Sequence, residues 1–409
     1  MRRSTCRVSE SPDLRVFLDL GNHPLPDALV RPEDGGTPDD RFPLEVAFCP
    51  ESKLVQILED VPAERMFVDN YLYFSSFSDH LLRHSRDHAL GLIETRNLGP
   101  DSLVVELASN DGYLLKNFVE AGVPVLGIDP APDQARVANQ NGVPTLDEFF
   151  GIEMAERLVA EGRRADVIVA NNVMAHVPDL NSFVGGMKHL LADDGLITVE
   201  NPYVRDLIRH CEFDTIYHEH VVYWSCTSVD YLMRRHGLWL NDVEYFPELH
   251  GGTLRWQIGH KENRSNEVRE YLEEEAASGL NTFGYYEAFA EQVHQNKSDL
   301  LELLHHLRSQ GNRIAGYGAA AKGSTMLNFC GIGTDLVEFV VDRNVHKHGL
   351  LMPGTHQPVR PTEDLLTERP DYVLLLAWNF RDEIIRQQDD YLRQGGRFIV
   401  PVPNPSVIG

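Results

Sequence analysis

Leu103-Val104-Val105-Glu106-Leu107-Ala108-Ser109-Asn110-Asp111-Gly112 is the stretch on which the fold class turns. An apolar run of strand length carries an acid, passes through a turn of small residues and enters a helical pattern. Val125-Leu126-Gly127-Ile128, Asp166-Val167-Ile168-Val169-Ala170 and Leu196-Ile197-Thr198-Val199 repeat the strand-like run, with helical patterns between them. That alternation predicts α/β architecture, βαβ units around a mostly parallel sheet, over residues 71–260. Open sheets of this kind bind ligands outside the carboxyl ends of their strands, so Glu106, Ser109, Asn110, Asp111 and Gly112 are candidate cofactor residues. Asp129 closes the second strand, 23 residues after Glu106, where a carboxylate can accept hydrogen bonds from a ribose diol. NAD would also use such a pair of features. The loop, however, is not Gly-x-Gly-x-x-Gly, and Glu106 and Asp111 would repel a pyrophosphate while suiting a cationic sulfonium and its amino-acid tail. The expected cofactor is S-adenosylmethionine.

Two further motifs lie downstream of this turn. The fourth βα loop reads Ala170-Asn171-Asn172-Val173-Met174-Ala175-His176-Val177-Pro178-Asp179, which puts two amides and an imidazole at the same sheet edge. Asn171 and Asn172 are expected on the cofactor and His176 near the substrate. Phe213-Asp214-Thr215-Ile216-Tyr217-His218-Glu219-His220-Val221 then gathers a phenol, two imidazoles and a carboxylate within four residues. That set can remove a proton and stabilise the oxyanion left behind, as carbanion chemistry beside a carbonyl requires.

Residues 1 to about 95 are loop-rich, with turn signals at Gly21-Asn22, Pro24-Leu25-Pro26 and Asp34-Gly35-Gly36; residues 1–70 are assigned to a small N-terminal domain. Residues 261–310 are polar and helical and are expected to bridge domains with solvated charged faces. From Arg313 a second alternating set begins, with strands at Ile314-Tyr317, Val337-Val341, Tyr372-Leu376 and Arg397-Val400, so residues 311–409 form a second Rossmann-like unit. Its Gly316-Tyr317-Gly318-Ala319-Ala320-Ala321-Lys322-Gly323 lies between a strand and a helix. Main-chain N–H groups there and one lysine suit a pyrophosphate, with Tyr317, Lys322 and, secondarily, Lys347 as substrate contacts.

Composition narrows the classes. The 62 acidic against 37 basic residues give a formal charge of −25, which repels nucleic acid and anionic membranes. No run approaches the length of a membrane span and the start lacks the apolar stretch of a signal peptide, so a cytoplasmic protein is expected. Cys6, Cys49, Cys211, Cys226 and Cys330 are too few for a disulfide framework, and reduced thiols are expected.

Taken together and in order, Glu106-Leu107-Ala108-Ser109-Asn110-Asp111-Gly112, Asn171 to Asp179, Glu212 to His220 and Gly316 to Gly323 closely resemble the three-domain nucleotide-sugar C-methyltransferases of deoxysugar biosynthesis. The resemblance runs from about residue 6 to residue 405. It implies a small zinc domain, a central class I methyltransferase domain and a C-terminal Rossmann-like domain without a dinucleotide. The implied reaction methylates a carbon beside the keto group of a dTDP-linked hexose, typically C3 of a 4-keto-2,6-dideoxy sugar. By the same resemblance, Tyr217, His218, Glu219 and His220 form an active-site strand facing the sugar. His220 is the implied general base, Tyr217 the oxyanion donor, His176 an assistant or relay, and Glu219 the group that orients an imidazole. Asn70-Tyr71-Leu72-Tyr73-Phe74-Ser75-Ser76 resembles the segment covering the methyl donor, which implies an active-site role for Tyr71 and cofactor contacts for Tyr73 and Ser75. His250-Gly251-Gly252-Thr253-Leu254-Arg255 also matches, and the paired glycines Gly251 and Gly252 permit close approach to a substrate. The substrate partner is the dTDP-sugar, and the chain is expected as a monomer or dimer.

One departure stands out. Relatives carry two Cys-x-x-Cys pairs for zinc, whereas the matching positions here read Cys6-Arg7-Val8-Ser9 and Cys49-Pro50-Glu51-Ser52. A four-cysteine site is excluded, and a metal-free fold is expected, with His23 as the conceivable substitute ligand. Two other classes stay open at this stage: an NAD-dependent sugar-nucleotide oxidoreductase using the C-terminal glycine turn, and a non-catalytic sugar-nucleotide binder. C5 methylation by the same chemistry is a further alternative.

Overall fold

The computed structural model describes residues 2–62, 65–66, 74–77, 79–249 and 251–409. Tyr71, Tyr73 and His250 lie outside the described residues.

The N-terminal part contributes β1 (Arg15–His23), β2 (Phe42–Phe48) and β3 (Val55–Ile57), an antiparallel meander where the sequence suggested mainly loop. The central part contributes β4 (Val104–Leu107), β5 (Val125–Ile128), β6 (Thr145–Leu146), β7 (Ala165–Asn171), β8 (Leu191–Pro202), β9 (Val222–Tyr223), β10 (Trp239–Phe246) and β11 (Thr253–Gly259). Seven of these form one sheet in the order β10-β11-β8-β7-β4-β5-β6, parallel except for β11, which runs antiparallel to both neighbours. β4 sits inside it with all four residues buried, as a strand covered on both faces must. Because β5 flanks β4 on one side and β7 on the other, the crevice opens at the carboxyl ends of β4 and β7.

β9 does not join that sheet. It pairs antiparallel with β3, so two residues that follow the Tyr217–His220 segment complete the N-terminal sheet. Ile57 N–H donates to Val221 O at 3.1 Å in the same seam.

The C-terminal part adds β12 (Ile314–Tyr317), β13 (Val340–Asp342), β14 (Val359–Pro361), β15 (Tyr372–Leu375), β16 (Arg397–Val400) and β17 (Ser406–Ile408) in the order β14-β13-β12-β15-β16-β17, with only β17 antiparallel. The helices Asn266–Ala277 and Phe283–Ser309 link the two α/β parts. The long one is more than a solvated rod: Tyr286, Phe289, Val293, Leu300 and Leu304 are buried. Tyr286 stacks on Phe48 of β2 at 4.8 Å, and Asn296 Nδ2 donates to the carbonyls of Pro401 and Pro403 at 2.9 Å each. No helix among the described residues is long and apolar enough to cross a membrane.

Candidate active site

The crevice at β4 and β7 is built from strained turns and acids. Ala108 and Asn110 adopt positive φ (55° and 49°), and Gly112 follows at 80°, so the chain doubles back directly after Leu107. Asn110 N–H and Ala131 N–H donate to the two carboxylate oxygens of Asp129 at 2.8 and 2.9 Å, which fixes this acid beside the turn. Ser75 N–H donates to Asn110 Oδ1 at 2.9 Å and Ser76 N–H to Asp111 Oδ2 at 3.3 Å, laying the 74–77 segment across the turn. Burial, reinforced by Asp129 and Asp111, pushes the Glu106 carboxyl well above the ordinary range; burial likewise raises Asp129.

Glu106 Oε2, Ser109 Oγ, Asp111 Oδ1, Asn171 Oδ1 and Asn172 Oδ1 are all buried with no hydrogen-bond partner among the described residues. Buried polar atoms are normally satisfied, so five such oxygens at one sheet edge fit a ligand rich in N–H and O–H donors and bearing positive charge. S-adenosylmethionine has that donor set.

Behind this edge lies a cluster that single residues in the sequence did not signal. Glu200, near the end of β8, is buried and bonded by His84 Nε2 at 2.9 Å and Arg255 Nε at 2.6 Å. Burial opposes its charge, but the His84 bond with the Arg255 and His84 charges overcomes that and holds the carboxyl at about 2. The cluster ties the helix Asp79–Arg96, which follows the covering segment, to β8 and β11.

Tyr217 to His220 form a turn, with His220 N–H donating to Tyr217 O at 2.9 Å, and not the strand implied by the resemblance. The 3-10 turn Phe213–Thr215 precedes it and β9 follows, leaving no room for a ladder. His220 Nδ1 lies 2.8 Å from Thr215 O and Nε2 3.1 Å from the Tyr217 hydroxyl. A carbonyl can only accept, so Nδ1 carries the proton and Nε2 the lone pair. The two rings lie 4.1 Å apart, and the His176 ring is 4.9 Å from that of His220. His176 Nδ1 donates to Glu219 O at 2.7 Å, and burial lowers this imidazole to about 4, so it is neutral at physiological pH. Val221 N–H closes the seam onto Ala175 O at 2.7 Å, joining the turn to the loop at the end of β7.

Glu219 orients an imidazole through its main-chain carbonyl; its carboxyl does something else. Burial, aided by Asp27 of the N-terminal part, pushes that carboxyl well above the ordinary range, with Lys347 of the C-terminal part opposing. His218 turns to the N-terminal sheet, its Nε2 3.1 Å from Pro43 O and its ring edge-on to Phe42 at 5.8 Å. Gly251 and Gly252, at φ 87° and 127°, pack against Glu212 and Asp206: a Cβ at either would sit 2.3 Å from a carboxylate oxygen. These glycines are explained by the carboxylates behind them.

In the C-terminal turn, Tyr317 is 4% exposed and packs against Phe339, Leu365 and Ile384. Lys322 Nζ lies 4.4 Å from the centre of the Trp378 ring, and Lys347 Nζ donates to Ala319 O at 2.7 Å. Asp342 Oδ2 accepts Ala319 N–H at 2.7 Å, placing a carboxylate on the glycine-rich turn itself.

Residues 77–242 match the family described as a methyltransferase domain, 248–403 the C-methyltransferase C-terminal domain, and 6–67 a putative zinc binding domain. The C-methyltransferase NovU of Streptomyces niveus is 36% identical over 407 residues, 98% of this chain and 96% of that protein. The chain belongs to this C-methyltransferase family. A ubiquinone biosynthesis O-methyltransferase of Methylobacterium sp. (strain 4-46) is 34% identical over 116 residues, 26% of this chain and 45% of that one. The crystal structure of magnesium protoporphyrin IX methyltransferase from Synechocystis PCC 6803 with bound SAM is similar at TM-score 0.35 and 13% identity, over 49% of this chain and 89% of that chain. The enzyme is a C-methyltransferase that depends on S-adenosylmethionine.

The C-methyltransferase departs from its zinc-domain match in a defined way. Two similar turns present Cys6 with Ser9 and Cys49 with Ser52, and the four side chains meet: Cys6 Sγ lies 3.1 Å from Ser52 Oγ and Ser9 Oγ 3.5 Å from Cys49 Sγ. Val8 and Ser9 N–H both point at Cys6 Sγ at 3.4 Å, and Glu10 and Lys53 take matching left-handed conformations (φ 64° and 59°). Both knuckles are therefore kept while half the thiolates are gone. Two serine hydroxyls do not fit a tetrahedral thiolate zinc site, and no cluster of three or more metal-binding side chains occurs among the described residues. His23, the candidate substitute, instead bonds Leu20 O at 2.7 Å, and burial lowers it to about 4.

Proposed function

We propose that the enzyme methylates C3 of a dTDP-linked 4-keto-deoxyhexose in deoxysugar biosynthesis, by removing a proton beside the ketone and letting the enolate carbon attack the methyl donor. The observation that carries this reading is the His220–Tyr217 pair. One turn offers an imidazole lone pair and a phenol 3.1 Å apart, joined to the loop at the end of β7 beside the cofactor crevice.

His220 Nε2 takes the substrate proton, its tautomer fixed by Thr215 O. Tyr217 turns its O–H from Nε2 to the developing oxyanion. Neutral His176 backs the base and passes the proton outward. Burial and the Asp27 charge favour the protonated form of the Glu219 carboxyl, in which it can donate a hydrogen bond to a sugar oxygen. Glu106, Ser109, Asp111, Asp129, Asn171 and Asn172 hold S-adenosylmethionine, which when bound supplies an electrophilic methyl carbon. Holding the two reactants in line supplies much of the rate, and the covering segment at Ser75 and Ser76 shields them from water. Lys322 and Lys347 receive the diphosphate.

The oxidoreductase alternative is set aside by the family: residues 77–242 match a methyltransferase domain and residues 248–403 the C-methyltransferase C-terminal domain. The test is direct. Incubation with S-adenosylmethionine and a dTDP-4-keto-2,6-dideoxyhexose should yield a product heavier by one methylene, with the new carbon at C3 by NMR. Carbon added at C5 would move the site, and hydride transfer with NAD would replace the reading.

A further inference from the structure

Asp214 lies in the 3-10 turn that leads into the catalytic turn, and no hydrogen bond joins its side chain to Tyr217, Glu219 or His220. It is wholly buried, and its Oδ2 accepts Trp378 Nε1–H from the C-terminal part at 2.6 Å. Trp378 carries the Lys322 ammonium over its ring at 4.4 Å. Beside Asp214, Phe213 sets its ring edge-on to Phe329 of the helix Ala321–Cys330, at 5.4 Å between centres. The residue after Asp214 is Thr215, whose carbonyl fixes the His220 tautomer at 2.8 Å. One short turn therefore holds the glycine-rich end of the C-terminal part and the base of the central part.

We infer that Asp214 is a positioning residue: through Trp378 it sets the distance between the Lys322 turn and His220, so that a substrate anchored by its diphosphate presents the carbon beside its ketone to the base. The inference rests on the reading of Lys322 as a diphosphate contact. A rigid link of this kind makes the enzyme specific for nucleoside-diphosphate sugars of one span. Neighbouring charge agrees with it: burial raises the Asp214 carboxyl to about 7, while Lys322 and the Trp378 bond pull it down, so the group sits within reach of both. The link also lies in the seam between two separately folded sheets, where relative movement would otherwise misalign the reacting atoms. A misplacement of about 1 Å can cost on the order of 10²-fold in rate.

The experiment compares Asp214→Ala, Asp214→Asn and Trp378→Phe in the full chain. The readouts are kcat and KM for the dTDP-sugar, S-adenosylhomocysteine affinity and melting temperature. Asp214→Ala and Trp378→Phe should each lower kcat by about 10- to 10²-fold with KM and S-adenosylhomocysteine affinity nearly unchanged. Asp214→Asn, which keeps an oxygen for Trp378 N–H, should recover most of the loss, and the Asp214→Ala/Trp378→Phe double variant should be no worse than the poorer single. If Asp214→Ala fails to fold, Trp378→Phe with Asp214→Asn still decides the matter. Unchanged kcat in Trp378→Phe, or additive losses in the double variant, would overturn the inference. The diphosphate reading fails separately, if Lys322→Ala binds dTDP as tightly as the wild type.

Discussion

Asp129 is proposed to hold the cofactor ribose as well as the turn after β4. Its carboxylate holds Asn110 and Ala131 N–H, and its remaining lone pairs are available to a ribose diol. Asp129→Asn keeps one acceptor for the turn but halves what the ligand can use. Calorimetry should therefore show S-adenosylhomocysteine binding weakened by about 1–3 kcal/mol, the scale of hydrogen bonds to a charged group. Unchanged affinity would place the ribose elsewhere. The acids of this crevice were legible in the sequence because each sits at a fixed offset from an apolar run. Asp214, Glu200 and Asp342 were not, because what gives each its role comes from a distant part of the chain: Trp378 for Asp214, His84 and Arg255 for Glu200, Ala319 for Asp342.

Among the elements, the connector helix Asn266–Ala277 has a specific task. Glu275, fully buried, accepts Cys226 N–H at 2.7 Å, Thr227 N–H at 2.8 Å, Thr227 Oγ1 at 2.5 Å and the Tyr203 hydroxyl at 2.8 Å. It caps the helix Cys226–Arg235 from another element, alongside that helix's own Ser225–Ser228 capping box. Glu275→Ala strands several buried donors, each costing about 1–3 kcal/mol. Its denaturation midpoint should drop by the equivalent of about 3 kcal/mol or more; a loss below about 1 kcal/mol would show that water or the capping box replaces it. The zinc knuckles are the second element-scale case. Their turns survive with serine in place of the second cysteine, so the Ser9→Cys/Ser52→Cys variant should bind one cobalt ion with intense thiolate-to-metal absorption. The wild type should show no such band. One tightly held metal equivalent per wild-type chain would contradict the metal-free reading. The two Cys-Ser turns were recognised only through the resemblance, whereas the meander β1 to β3 was hidden by its long turns and its borrowed fourth strand.

At the scale of the whole molecule, one turn is held by three parts of the chain. β9 fastens it to the N-terminal sheet, Val221 N–H to the loop after β7, and Asp214 to the C-terminal part, while Asp27 and Lys347 from the outer parts both act on Glu219. The period of the apolar runs revealed both α/β sheets, since parallel strands buried on two faces leave continuous apolar stretches. It could not reveal that the turn is shared, because that depends on how separately legible units dock. We propose that this shared turn exists to aim His220 at a proton beside a ketone. The measurement closest to it is exchange of that proton with deuterated water, followed by NMR, with the dTDP-4-keto sugar and S-adenosylhomocysteine present so that no methyl can move. The wild type should exchange the proton, and His220→Asn should do so about 10²–10⁴-fold more slowly, the usual contribution of a positioned base, with affinity for both ligands kept. Exchange by His220→Asn at the wild-type rate would contradict the account and pass the role to His176 or Tyr217.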